Sequence, residues 1–135
     1  MNKENDQKLF DRFSFFHPEL PMTENLMCFG FECGDGWFDL IWQLCLDIEK
    51  AKPTDDFIVV QVKEKFGGLR FYVDSATDEV FNIINKAEEQ SYKVCEFCGT
   101  KEDVKIIKGG WLKSLCPTCE AKRISDQRER YQIKR

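Results

Sequence analysis

Hydrophobic positions recur along this chain first at helical spacing, then at strand spacing, then at helical spacing again, before cysteines take over the pattern. Leu9, Phe13 and Phe16 fall on one side of a helix among Lys3, Glu4, Asp6, Lys8 and Asp11, which predicts an amphipathic helix over residues 3–16. Pro18 and Pro21 end it. No period holds from Met22 onward until Gly34 and Gly36 flank Asp35 in a tight turn. In residues 37–50 the polar positions Asp39, Gln43, Asp47 and Lys50 form one narrow stripe, and Trp37, Phe38, Leu40, Ile41, Trp42, Leu44, Cys45 and Ile48 cover the rest. That predicts a helix buried on most sides, with its tryptophans in the core and Pro53 beyond its end.

The β-branched run Phe57–Val62 belongs in a sheet, and residues 63–68 turn the chain at Gly67-Gly68 into Leu69–Val73, which alternates. One face of this hairpin carries Leu69, Phe71 and Val73, and the other carries Arg70 and Tyr72. Lys63 and Lys65 share a strand face, so cations beside an aromatic are expected near the turn. A second helix begins after Asp74, with Ser75 or Thr77 as cap and Ala76, Val80, Ile83, Ile84 and Ala87 as its apolar stripe. It leads to the cysteines with no Gly/Pro/Ser-rich linker, so residues 1–92 form an α+β body against which residues 93–135 pack.

Cys95-Glu96-Phe97-Cys98-Gly99 and Cys116-Pro117-Thr118-Cys119 are two Cys-x-x-Cys pairs at the separation of a four-thiolate zinc site. Gly99 permits the sharp turn after the first pair, and Pro117 opens a helix that places the second pair at its positive end. Between them, residues 104–107 and 111–115 are expected as strands joined at Gly109-Gly110. Knuckle, hairpin and helix in this order resemble a treble-clef zinc finger. The expected fold is therefore α+β, with helices packed on a small β-hairpin sheet and a C-terminal treble-clef-like four-cysteine finger holding Zn2+ at Cys95, Cys98, Cys116 and Cys119.

Cys28, Cys33 and Cys45 lie outside this quartet and are expected as small buried hydrophobes. An odd total of seven, an opening without an apolar leader and the lack of any membrane-length apolar run point to a reducing cytoplasm, that of a bacterial host once the resemblance below is counted, and to no membrane partner. His17 is the single histidine and sits in the proline break, so histidine-dependent catalysis lacks its usual base and no catalytic residue is expected. Charge is unevenly placed. Residues 1–92 carry 9 Lys and Arg against 18 Asp and Glu, a balance of −9, whereas residues 93–135 carry 11 against 6, a balance of +5. An acidic body disfavours broad contact with a phosphate backbone, while the basic part can make a few such contacts.

Cys33-Gly34-Asp35-Gly36-Trp37, the run Gln61–Val73 with Lys-Glu-Lys-Phe-Gly-Gly-Leu-Arg-Phe-Tyr at its centre, Cys95–Gly99 and Gly110-Trp111-Leu112 with the last cysteines resemble a family of small uncharacterised phage and prophage proteins. The resemblance spans roughly residues 28–120 and implies an accessory role without supplying a mechanism. With no catalytic constellation, the first expectation is a non-enzymatic protein that binds and inhibits or redirects a host protein, such as an antiviral defence component. The candidate binding residues are Lys63, Lys65, Phe66, Arg70, Tyr72 and Trp111. A second reading is a nucleic-acid-binding regulator using Lys105, Lys108, Lys113 and the arginines after Cys119. A third is capture of a small anionic nucleotide by Lys63, Lys65, Arg70 and Tyr72.

Overall fold

The computed structural model describes residues 1–108 and 111–133 and has an α+β fold of four α-helices and two small sheets among the described residues. Helix α1 spans Lys3–Arg12, capped by the Asn2 side chain, which accepts from the Asn5 N–H at 2.8 Å. It stops four residues earlier than the helical spacing predicts. Phe13 has extended backbone (φ −115°, ψ 125°), and Phe13 and Phe15 then stack with ring centroids 5.6 Å apart. The extended form lets Phe13, Phe15 and Phe16 all enter the core, and the Phe15 carbonyl accepts from the Val59 N–H at 3.1 Å. A continued helix would have turned Phe15 away.

A two-residue strand, β1 (Phe31–Glu32), pairs in parallel with β2 (Ile58–Lys65), which pairs antiparallel with β3 (Gly68–Asp74). The hairpin expected from sequence is thus part of a three-stranded sheet, and β2 continues through Lys63, Glu64 and Lys65. Only Phe66 and Gly67 remain as its turn, with φ of +55° and +83°. Positive φ at both central residues is the primed geometry that matches strand twist. The inner sheet face supplies Val59, Val62, Leu69 and Phe71 to a core shared with Ile41, Leu44, Cys45 and Ile48 of α2 (Phe38–Lys50) and with Val80, Ile84 and Ala87 of α3 (Asp78–Ser91). Helix α3 starts at Thr77, whose hydroxyl accepts from the Val80 N–H at 3.2 Å. Its last residue, Ser91, accepts from the Leu69 N–H at 2.9 Å and so satisfies part of the outer edge of β3.

The remaining elements are β4 (Lys105–Ile107), β5 (Lys113–Leu115), which pairs with it antiparallel, and α4 (Pro117–Ile133), with proline at its first position. The expected Gly109-Gly110 turn lies outside the described residues, and Trp111 precedes β5 rather than belonging to it. Helix α4 is exposed along nearly all its described side chains beyond Glu120. Of the three cysteines outside the quartet, Cys33 and Cys45 are buried as expected, while Cys28 is exposed. Its position in a 3-10 turn over Met27–Phe29 sends Met27 inward and leaves its own side chain outside. No helix of the described residues is long and apolar enough to cross a membrane.

Body and finger segments meet through the turn before α2. The Trp37 indole, fully buried, donates to the Val94 carbonyl at 2.9 Å, and the Gly36 N–H donates to the Glu96 carbonyl at 2.8 Å. A Cβ on Gly36 would stand 2.3 Å from the Cys95 carbonyl oxygen and 2.6 Å from the Gly99 nitrogen, both backbone atoms that cannot swing away. Gly36→Ala is therefore expected to destabilise the protein by about 1–3 kcal/mol, the range for forcing added volume into a packed site. Urea unfolding measures it, and an unchanged midpoint would show that this contact does not hold the two segments together.

Candidate metal centre

The first cysteine pair sits in a loop closed by backbone hydrogen bonds. The Gly99 N–H donates to the Cys95 carbonyl at 2.9 Å, with Gly99 at φ +81°, and the Cys95 N–H donates to the Thr100 carbonyl at 2.8 Å. Glycine takes that φ without a Cβ penalty, which brings Cys98 back over Cys95. The second pair straddles the start of α4. The Cys119 N–H points at the Cys116 sulfur at 3.5 Å, and the Glu120 N–H donates to the Cys116 carbonyl at 3.0 Å. Exposed N–H groups at a helix start favour a thiolate there. Strand β5 links the loops, since the Glu96 N–H donates to the Ser114 carbonyl at 2.9 Å.

These elements place the sulfurs of Cys95, Cys98, Cys116 and Cys119 within 4.8 Å of one another. The Cys98 and Cys116 sulfurs are 3.7 Å apart. A tetrahedral ion held by thiolates at about 2.3 Å requires sulfur–sulfur edges of about 3.8 Å, so the spacing fits a four-thiolate metal centre. The electrostatics fit as well. Burial disfavours a charged Cys95, but N–H groups of Cys116, Cys98 and Phe97 outweigh it and bring this thiol from 9.0 to about 7. At Cys98 the Thr100 N–H favours the thiolate, yet burial and the neighbouring thiols leave its pKa raised, and at Cys119 burial and its three sulfur neighbours push it well up. Thiols this close share little negative charge by themselves, and a divalent cation is the group that ionises them together.

Glu96, between the first two cysteines, is 1% exposed. Its Oε2 accepts from the Gly34 N–H at 2.9 Å and from Lys113 Nζ at 3.3 Å. Its Oε1 lies 3.2 Å from the same ammonium in ion-pair contact without hydrogen-bond alignment. Lys113 also reaches Glu64 of β2 at 3.4 Å. Burial raises the Glu96 carboxyl above its ordinary value, and Lys113 opposes the shift. The Ser114 hydroxyl donates to the Gly67 carbonyl at 2.6 Å, so the hairpin turn is tied to β5.

The other candidates are only partly brought together. Lys63 stands directly opposite Arg70, and Tyr72 opposite Gln61, on the outward sheet face. Arg70, however, is ion-paired with Glu88 of α3 and lies 3.4 Å from the Tyr92 hydroxyl, while Glu32 of β1 is the register partner of Lys63. The face carries mixed charge rather than a free cationic cluster. Lys65 Nζ is 5.4 Å from the Phe66 ring centroid. Phe66 is 62% exposed and Trp111 77%, and the Trp111 carbonyl accepts from Arg123 at 3.4 Å. Of the lysines expected to meet phosphate, Lys105 and Lys108 are exposed, but Lys113 is half-buried between Glu64 and Glu96. The sequence marks Gly36 only as a turn residue and Glu96 only as a spacer between cysteines, because each owes its further role to a partner some sixty residues away.

No protein-family model, no curated protein and no solved structure matches this chain.

Structural metal bound by four thiolates contributes on the order of 10 kcal/mol to forming such a site. Cys98→Ser is expected to abolish tight binding of one divalent ion per chain and to expose residues 93–133 to amide exchange. Because the ligand thiols bind metal only after losing their protons, affinity falls as pH falls. A chromophoric chelator will draw metal from the protein faster at pH 5 than at pH 8, and equal rates would show that the four sulfurs do not hold it.

Proposed function

We propose that the chain is a non-enzymatic, zinc-stapled binding protein that engages a protein partner through the exposed aromatic end where the β2–β3 turn meets the finger. Four thiolates suit zinc better than hard cations, and a closed set of protein ligands leaves no coordination position for substrate. The order of knuckle, β4–β5 hairpin and α4 agrees with a treble-clef arrangement. The metal is thus a staple, and the function lies elsewhere on the surface.

The observation that carries this reading is Phe66. A bulky residue at φ +55° is a backbone outlier, where Asn or Gly would sit more easily, and its ring is not hidden in compensation. The two-residue turn requires that φ, but an exposed aromatic in place of Asn or Gly adds nothing to folding, and residues held at strained backbone cluster where a molecule makes contacts. Around it the surface offers Ile106, whose Cγ2 would stand 3.5 Å from a Cβ at Gly67, and Phe97, 5.9 Å from Lys113 Nζ. Aromatic anchors with lysines at the rim suit a protein hot spot. The resemblance to small phage and prophage proteins makes a protein of the bacterial host cytoplasm the partner, with inhibition or redirection as the outcome and a defence component as one such target. Exposed Lys105, Lys108, Lys122, Arg128 and Arg130 support the second reading, nucleic acid, which predicts affinity falling steeply with salt.

Phe66→Asn separates contact from folding. Asparagine tolerates the left-handed turn, so stability is expected to rise by about 1 kcal/mol while partner binding drops. Nuclease-treated pull-downs from bacterial lysate, analysed by native mass spectrometry, should give one defined protein at fixed stoichiometry with the native sequence and none with Phe66→Asn combined with Trp111→Ser. Retention of nucleic acid alone before nuclease, with nothing left after it, would overturn the protein-partner reading.

A further inference from the structure

A groove of about 490 Å³ runs between α1 and α2, lined by Lys8, Asp11, Arg12, Phe38, Asp39 and Trp42. Its floor is aromatic, with the Phe38 and Trp42 rings 5.8 Å apart and tilted by 31°. Trp42 is anchored from below by an edge contact to Phe13 at 5.1 Å, so the floor is set by the core. The cations of the lining are already engaged. Arg12 makes a two-pronged pair with Glu49 at 2.9 and 3.0 Å and lies 4.7 Å from the Phe13 ring centroid, and Lys8 is 3.5 Å from Glu4.

The carboxylates are not matched in the same way. Asp11 accepts only the neutral Gln7 amide, at 2.7 Å, and neither Asp11 nor Asp39 takes part in an ion pair among the described residues. The lining itself balances at zero, but Lys8 and Arg12 are each paired with a carboxylate from outside it, Glu4 and Glu49. The lining and these partners together therefore balance at −2, and the two charges left without an ion-pair partner among the described residues are Asp11 and Asp39. The groove sits on a body whose first 92 residues balance at −9. An aromatic floor flanked by unpaired carboxylates matches a planar cation that can stack and donate hydrogen bonds from its edge. Arginine has that shape, whereas the small, strongly hydrated ammonium of lysine stacks less well.

We propose that the groove between α1 and α2 receives an arginine side chain from a basic segment of a protein partner. The guanidinium lies against Phe38 and Trp42 and pairs with Asp11 and Asp39. The acidic body steers such a segment toward the groove, and the already satisfied Arg12 and Lys8 do not repel it at full strength. This inference does not depend on the aromatic end, since the two surfaces share no residue.

The test uses the full chain labelled with 5-fluorotryptophan, its Trp42 resonance identified by its loss in Trp42→Phe, titrated with an acetylated hexa-arginine peptide and separately with hexaglutamate. The arginine peptide is expected to shift the Trp42 resonance while leaving Trp37 and Trp111 in place, and hexaglutamate is expected to shift none. Asp11→Asn with Asp39→Asn should weaken the apparent affinity about tenfold. The charge-matched pair Asp55→Asn with Asp56→Asn, on an exposed loop, should leave it within twofold. An unmoved Trp42 resonance in the native protein overturns the proposal without any variant. Equal weakening by both double variants also overturns it, because binding would then be general attraction to an acidic surface.

Discussion

The burial of Glu96 is the constraint on which the arrangement of the molecule depends. Removing a carboxylate from water costs several kcal/mol unless its oxygens find donors and a countercharge. Those partners come from two distant places: the N–H of Gly34 in the turn before α2, and the ammonium of Lys113 on β5. Lys113 in turn extends to Glu64 on β2. A single buried charge therefore fixes the metal loop, the turn leading into α2 and the main hairpin relative to one another. Because the folded carboxyl is raised, its ionised form opposes folding, and this opposition grows as pH rises from the ordinary carboxylate range through the raised value. A metal held by the four cysteines would act with the opposite sign, since thiolates bind better as pH rises.

This arrangement ties the four-cysteine cluster to more than its own loop. Cys95 and Cys98 enclose Glu96, so an ion that fixes the two sulfurs also fixes the carboxylate between them. Trp37 donating to Val94 and Gly36 donating to Glu96 then hold the start of α2, whose Ile41, Leu44 and Ile48 reach the centre of the core. At the other side, Ser114 holds the carbonyl of Gly67 and so steadies the turn that exposes Phe66. The contact surface proposed for a partner is thus held by the finger, although no metal ligand belongs to it.

The surface divides into ends of different character. Phe66, Ile106 and Phe97 are exposed near lysines at the junction of hairpin and finger, whereas the α1–α2 groove is aromatic and holds two carboxylates that take part in no ion pair among the described residues. On the outward face of the sheet Arg70 is answered by Glu88 of α3, while Glu32 accepts from the Gln61 amide. Sequence alternation correctly places Lys63, Arg70 and Tyr72 on one face, but whether a cation is free depends on what lies across from it. Here α3 delivers Glu88 to Arg70 at a separation in sequence that no strand pattern encodes.

The sequence alone determined what rests on local repetition. The paired cysteines with Gly99 and Pro117 specify the four-thiolate centre and the helix that follows it, because loop turning and helix initiation are decided within a few residues. Helices α2 and α3 and the β2–β3 hairpin were legible for the same reason: their apolar periods are long enough to be unambiguous. Tertiary structure decided the rest. Strand β1 has two residues and no period, and it exists because Phe31 and Glu32 meet Val62 and Lys63. Helix α1 ends at Arg12 because three phenylalanines bury better from an extended chain than from a helix. Glu96 turns inward because Gly34 and Lys113, both distant in sequence, supply its partners. Patterns within the chain encode which elements form, while the burial of particular side chains is fixed only when distant segments compete for the same interior.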